Sequence, residues 1–259
     1  MIPFPNIDPV IVKIGPLSLR WYGMMYLGGF AASYFLVAYQ LKRKQLALAV
    51  KEVDSLYTYL VLGLILGARF GYILFYDLGA YLKNPLEIFA VWHGGMSFHG
   101  GLIGSVFAGV LFSRKYRVNF WQFADIVIVT APIGLGLGRI GNFINGELYG
   151  RVADVPWAMV FPSGGPLPRH PSQLYECLLE GPLLFVILWL LKDRNLKAGV
   201  LLSVFLILYG IFRFFVEFFR QPDAQLGLVL GPFSMGQVLS AALILAGAGL
   251  FIYRQKKPA

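Results

Sequence analysis

Two stretches of this 259-residue chain join residues able to hold an anion to residues able to lie in lipid. The first, "LGRIGNFINGELYGR" at 137–151, sets Arg139, Asn142, Asn145 and Glu147 directly behind the apolar run "FADIVIVTAPIGLG". A charged side chain at the bilayer centre costs about 2.5–3.5 kcal/mol on insertion scales, so it faces a cavity or a partner. If the helix continues through 139–147, Arg139 and Asn142 share one face. The asparagines and glycines predict instead that it unwinds there, as irregular backbone lining a watery pocket. The second stretch, "LYGIFRFFVEFFRQPD", spaces Tyr209, Arg213 and Glu217 at i, i+4 and i+8, along one helical face. Arg213 and Glu217 suit an intrahelical pair. Lipid exposure of the stripe is expensive, so it points into a bundle. Two arginines on different apolar segments suit one anion held between them, and guanidinium forks match phosphate oxygens well.

Other candidates are single residues. His99 opens "HGGLIG", where a neutral imidazole suits proton transfer near pH 7; an ordinary hydrogen bond is the plainer reading. His93 lies six residues upstream, and His170 in "PRHPSQLYE" suits a loop contact as well as function. Tyr22 in "RWYGMMY" fits an aromatic belt or a hydroxyl turned into the pocket. Arg69 in "GARFGY" suits a lipid head group or a structural pair. Cys177, the single cysteine, reads as a small apolar residue and excludes an intramolecular disulfide. No His or Cys cluster has metal-ligand spacing, so neither metal nor cofactor is expected. Gly136, Gly138 and Gly141 spell G-x-G-x-x-G, but an apolar span precedes them where a nucleotide site needs a strand. Gly134 and Gly138 suit close helix packing.

These residues must be positioned by membrane helices. The chain is 58% hydrophobic and 14% charged, against roughly 25% charged in soluble domains. Seven apolar segments approach the ~20 residues that cross a bilayer: about 20–41, 55–76, 96–113, 120–140, 173–191, 199–219 and 233–253. Thirteen of the 22 Lys and Arg fall at one set of ends, six at the other. The basic side is expected to be cytoplasmic, the N-terminus outside and the C-terminus inside. The net charge of +9 thus reads as membrane orientation, not as nucleic-acid binding. The expected fold is an all-α polytopic membrane protein of seven transmembrane helices, one integral domain over 1–259. Its outer loops, about 77–95, 141–172 and 220–232, hold eight of the 15 Pro and two of the three His. The first 20 residues hold four prolines and lack a basic n-region, so no cleavable signal is expected; they read as an ordered interfacial lead-in.

Four motifs in order, "FHGGLIG" at 98–104, "GRIGNFINGELYGR" at 138–151, "RHPSQLYE" at 169–176 and "YGIFRFFVEFFRQPD" at 209–223, resemble the prolipoprotein diacylglyceryl transferases of bacteria. The resemblance runs from "WYG" at 21–23 to "SMGQ" at 234–237. It implies an inner-membrane enzyme with a periplasmic site and no cofactor. Such an enzyme moves diacylglyceryl from phosphatidylglycerol to the lipobox cysteine of a preprolipoprotein. A thioether forms and glycerol 1-phosphate leaves. The resemblance places Tyr22, His99, Arg139 and Arg213 in catalysis. It adds Asn142, Glu147, Gly150, Tyr209 and Glu217, with Arg69, to phosphatidylglycerol binding alongside the two arginines. The nucleophile then belongs to the substrate, which agrees with an inert Cys177. The implied partners are phosphatidylglycerol, lipobox signal peptides and membrane lipids, with no nucleic acid and no obligate protein partner.

Two other classes fit less well. An anion transporter suits buried arginines, but no inverted repeat or matched pair of broken spans appears. A seven-span retinal protein needs a mid-span lysine, and every lysine falls in a flank or loop.

Overall fold

The computed structural model describes residues 2–15, 17–44, 50–90, 94–221 and 228–256. His93 and residues 222–227 of the third expected outer loop lie outside that set. The described chain is mostly helical. Four stretches, Glu52–Phe75, Phe120–Ile144, Ser172–Leu191 and Met235–Lys256, are long and apolar enough to cross a membrane. Contacts divide the chain into two compact units, Met1–Val37 with Asp125–Ala259, and Ala38–Ala124.

The larger unit begins with a hairpin that the helical expectation did not include. Strands β1 (Val10–Ile14) and β2 (Leu17–Arg20) pair antiparallel, with Gly15 at φ +58° in the turn. A second short pair, β3 (Leu228–Leu230) and β4 (Phe233–Ser234), leads into α10 (Met235–Lys256). Helix α1 (Trp21–Arg43) follows the first hairpin.

Two of the expected spans are interrupted helices, each at a proline. The segment expected over 120–140 is α5 (Phe120–Ile128) and α6 (Ala131–Ile144), with Pro132 in the first turn of α6. Proline lacks an amide donor and its ring clashes with the carbonyl four residues back, here Ile128, the last residue of α5. The segment over 173–191 runs as α7 (Ser172–Leu178), a π-helical turn (Leu179–Leu183) holding Pro182, and α8 (Leu184–Leu191). The wider turn re-aims the side chains around it, a device frequent at functional sites.

Helix α9 (Val200–Val216) starts after Gly199, which sits at φ +91°. Buried Asp125 on α5 accepts the amides of Gly199 at 2.7 Å and Leu202 at 2.8 Å. A carboxylate from another helix thereby satisfies amides that a helix start leaves without partners. Val129, Leu184, Leu188 and Leu201 form the apolar core around α5, α8 and α9. Glycines bring other helices together: a Cβ on Gly29 would lie 2.9 Å from the Gly134 backbone, and one on Gly136 would lie 3.0 Å from that of Gly181.

The smaller unit is built on α2 (Val50–Tyr76) and α4 (Phe98–Lys115), with α3 (Leu78–Lys83) and a 3-10 turn (Pro85–Phe89) between them. Gly63, Gly67 and Gly71 of α2 face Gly100 and Gly104 of α4, each four residues from the next. A Cβ on Gly67 would lie 2.3 Å from the Gly100 carbonyl oxygen. Small residues at such a spacing let helix backbones touch, which is how helices associate in lipid without a hydrophobic drive. Ser97 closes the N-terminus of α4, accepting the Gly100 amide at 3.2 Å while its own amide donates to Ala68 O at 2.8 Å.

Candidate active site

A buried network of alternating charge joins α6, α7, the π turn and α9. Arg139 of α6 places Nε 2.6 Å from Glu176 Oε2, and its Nη2 is 3.5 Å from Glu180 Oε2. Arg213 of α9 reaches the same pair: Nη1 is 2.9 Å from Glu176 Oε2 and 3.9 Å from Glu180 Oε1. Its other nitrogen, Nη2, meets Glu217 Oε1 at 2.5 Å. Arg220, past the end of α9, lies 3.3 Å from Glu176 Oε1 and 3.8 Å from Glu217 Oε1. Three guanidiniums thus face three carboxylates. Glu176 and Glu180 are fully buried, while the Arg139 and Arg213 side chains are 18% and 14% exposed. Tyr209 has Glu180, Arg213, Arg139 and Glu176 as its charged neighbours.

The far end of the network rests on α10. Ser234 Oγ donates to Glu217 Oε2 at 2.7 Å and accepts the amide of Gln237 at 3.2 Å. Glu217 therefore meets the positive end of a helix as well as two arginines. Gly236 leaves room for it, since a Cβ there would lie 2.4 Å from the Glu217 carboxyl carbon.

A second polar cluster forms where α6 ends. Asn142 and Asn145 donate to Glu147 Oε1 at 2.8 and 3.1 Å, and Gln173 Nε2 donates to the Glu147 carbonyl at 2.6 Å. Helix α6 persists to Ile144, so the unwinding expected over 139–147 begins only at Asn145; Gly146 then takes φ +66°. Arg139 and Asn142 are helical and Gly138 does not bend the chain. Gly141 instead makes space for Tyr22, whose Cδ2 would lie 2.8 Å from a Cβ there. The Tyr22 hydroxyl pairs with that of Tyr26 at 3.1 Å, with Asn142 and Glu147 as neighbours.

Gly150 is a point of close backbone approach. A Cβ there would lie 2.5 Å from Phe219 O and 2.6 Å from His170 Cβ. The Gly150 amide donates to His170 O at 2.8 Å, and Gly150 bridges Arg220. This places Arg220 beside Glu176. The Trp157 indole donates to the Tyr175 hydroxyl at 2.6 Å, and that hydroxyl shares a hydrogen bond with His170 Nδ1 at 3.0 Å. Partial burial lowers the pKa of His170 and favours the neutral ring.

The family-model comparison matches prolipoprotein diacylglyceryl transferase over residues 9–253. The chain belongs to the prolipoprotein diacylglyceryl transferase family. It is 58% identical over 244 residues to the phosphatidylglycerol–prolipoprotein diacylglyceryl transferase of Geobacter sulfurreducens, covering 94% of each chain. To the protein of the same name from Desulfotalea psychrophila it is 55% identical, covering 98% of this chain and 97% of the relative. To that of Bordetella parapertussis it is 52% identical, covering 100% and 99%. As a member of this family it is a membrane transferase of lipoprotein biosynthesis.

Within this transferase the structure brings together Arg139, Arg213, Tyr209 and Glu217, and separately Tyr22, Asn142 and Glu147. His99 belongs to the smaller unit, exposed in the first turn of α4. Arg69 is also in that unit, and its N–H groups are all taken. Nε donates to Ile88 O at 3.0 Å, Nη1 to the carbonyls of Gly94 and Gly95, and Nη2 to those of Glu87 and Ala90. Five donors meet five carbonyls, so of its two readings the structural one has the geometry and no N–H remains for a lipid phosphate. Glu176, Glu180 and Arg220 were not among the expected site residues. The signal for the two glutamates lies in "YECLLEG", where they stand four apart in an apolar span, as costly there as the arginines.

Proposed function

We propose that this chain transfers the diacylglyceryl group of phosphatidylglycerol to the lipobox cysteine of a preprolipoprotein, the first step of lipoprotein maturation. The full-length match to the family, residues 9–253, carries the reading. The thiol loses its proton, its sulfur bonds to the terminal carbon of the diacylglyceryl group, and the bond from that carbon to the phosphate oxygen breaks. Glycerol 1-phosphate leaves with one more negative charge than it held as a diester. Arg139 and Arg213 stabilise that added charge, and groups that bind the transition state better than the ground state accelerate the step. Asn142 and Glu147 hold the glycerol head group or the local scaffold, and Tyr22 contributes a hydroxyl. Gly150 keeps the backbone close. A free thiol has a pKa near 8.5, so a base assists near neutral pH; His99 is assigned that role.

The membrane arrangement follows the same reading. The seven apolar segments correspond to α1, α2, α4, α5 with α6, α7 with α8, α9, and α10. We read each as one span of a single integral domain, outer loops about 77–95, 141–172 and 220–232. The basic ends lie in the cytoplasm and the site faces the periplasm of a bacterial inner membrane.

Purified protein is expected to move labelled diacylglyceryl from phosphatidylglycerol vesicles to a peptide bearing a lipobox with a free cysteine. Glycerol phosphate release should require that cysteine. Absence of transfer where a verified relative is active would overturn the function. His99→Gln is expected to lower the rate by about 10²-fold or more, the usual worth of a positioned base. A variant that keeps most of the rate would remove His99 from proton transfer and leave the transferase reading intact.

A further inference from the structure

The proposed phosphate-binding arginines are already bridged by carboxylates. Glu176 and Glu180 are not equivalent there. Glu176 is held firmly, with oxygens at 2.6, 2.9 and 3.3 Å from Arg139, Arg213 and Arg220. Glu180 is held loosely, at 3.5 Å from Arg139 and 3.9 Å from Arg213. Its side chain is 0% exposed, and both of its contacts to the arginines are longer than any that Glu176 makes. It bridges the two guanidiniums with one oxygen each, as two oxygens of a phosphate would. It also rides on the π-helical turn Leu179–Leu183, so its placement depends on a local break in regular helix.

We infer that Glu180 is a positioning residue that stands in for the phosphodiester: it keeps Arg139 and Arg213 aimed at one point, yields them to the lipid phosphate, and takes up one proton as it does so. The inference rests on the proposed donor, phosphatidylglycerol, and deepens it. Charge balance is its physical reason. Three guanidiniums and three carboxylates are neutral together. A phosphodiester adds a fourth negative charge to a largely buried set, and uncompensated buried charge is strongly unfavourable. Protonating one carboxylate restores the balance. Glu180 is the one whose loss of charge breaks the weakest contacts.

Other groups facing Glu180 do not offer an alternative proton acceptor. Arg139 comes from α6, Tyr209 and Arg213 from α9, and Glu176 and Cys177 from its own helical segment. Helix α8, "LFVILWLL", carries no titratable group. Of these only Glu176 is a second carboxylate, and its contacts to three arginines are the shorter ones.

The test measures binding without peptide, so the substrate thiol does not titrate. Short-chain phosphatidylglycerol is titrated calorimetrically into the full-length protein in detergent, in two buffers of different ionisation enthalpy. The wild type is expected to take up about one proton per lipid wherever Glu180 is ionised before binding. Its apparent Kd should then rise with pH, by up to about tenfold per unit, the limiting slope for one proton. Glu180→Gln should bind with little proton uptake and a flat Kd, because the amide needs no proton to give way. No proton uptake by the wild type, or the wild-type slope retained in Glu180→Gln, would overturn the inference. The wild-type buffer comparison stands even if the variant does not fold. Proton-linked lipid binding without transfer to peptide would instead fault the transferase reading.

Discussion

Arg139→Ala is expected to abolish diacylglyceryl transfer and also to lower thermal stability. A single preorganised donor at a developing oxyanion contributes about 10²–10³-fold in rate. Arg139 offers a full charge as well, so a fall of about 10³-fold or more is expected. The stability effect has a separate cause. Glu176 and Glu180 are fully buried and each loses a guanidinium. Removing one partner of a buried pair costs about 3–5 kcal/mol, and the lower end applies because Glu176 keeps Arg213 at 2.9 Å and Arg220 at 3.3 Å. The double variant Arg139→Ala/Glu180→Gln should regain part of that stability and none of the activity. Unfolding in detergent and the transfer assay read the two effects apart. A fully active Arg139→Ala protein would remove the phosphate role.

The second large effect is expected at Gly104. A Cβ there would lie 2.1 Å from Gly63 O and 2.8 Å from Gly67 Cα, both backbone atoms that cannot rotate away. Gly104→Ala must therefore push α2 and α4 apart, and overpacking of this kind costs about 1–3 kcal/mol or more. Gly109 on the same helix is the control: a Cβ there meets only the Phe120 ring, at 3.6 Å. Gly109→Ala should be neutral or stabilise slightly, since alanine suits a helix better by about 0.8–1 kcal/mol. Equal melting temperatures for the two variants would show that the glycine stripe does not set the spacing of these helices.

Much of the site was legible because lipid makes polarity conspicuous. Arg139, Asn142, Arg213 and Glu217 stand out in apolar segments, and the spacing of Tyr209, Arg213 and Glu217 reads directly as one helical face. Glu176 and Glu180 obey the same logic: Glu176 closes the motif "RHPSQLYE" and Glu180 lies four residues beyond it, both in an apolar span. Arg69 shows the opposite difficulty. An arginine inside an apolar helix suits an anion, and only the folded loop reveals five carbonyls around it. The helix breaks were partly legible: Pro132 and Pro182 mark them, yet one ends a helix and the other is absorbed by a π turn. A proline excludes a hydrogen bond without specifying how the chain responds.

The sequence by itself determined the helical membrane class, the polar residues that must avoid lipid, and the family through its ordered motifs. These are local properties, written in composition, period and spacing. The tertiary structure decided what those polar residues meet. Arg139 is 41 positions from Glu180, and Arg213 is 33 positions from it, so no helical period links them. Packing of α6, the π turn and α9 brings each arginine within 4 Å of Glu180. An anion site inferred from two arginines thus becomes a neutral set of six charges, in which a carboxylate already occupies the place proposed for the phosphate.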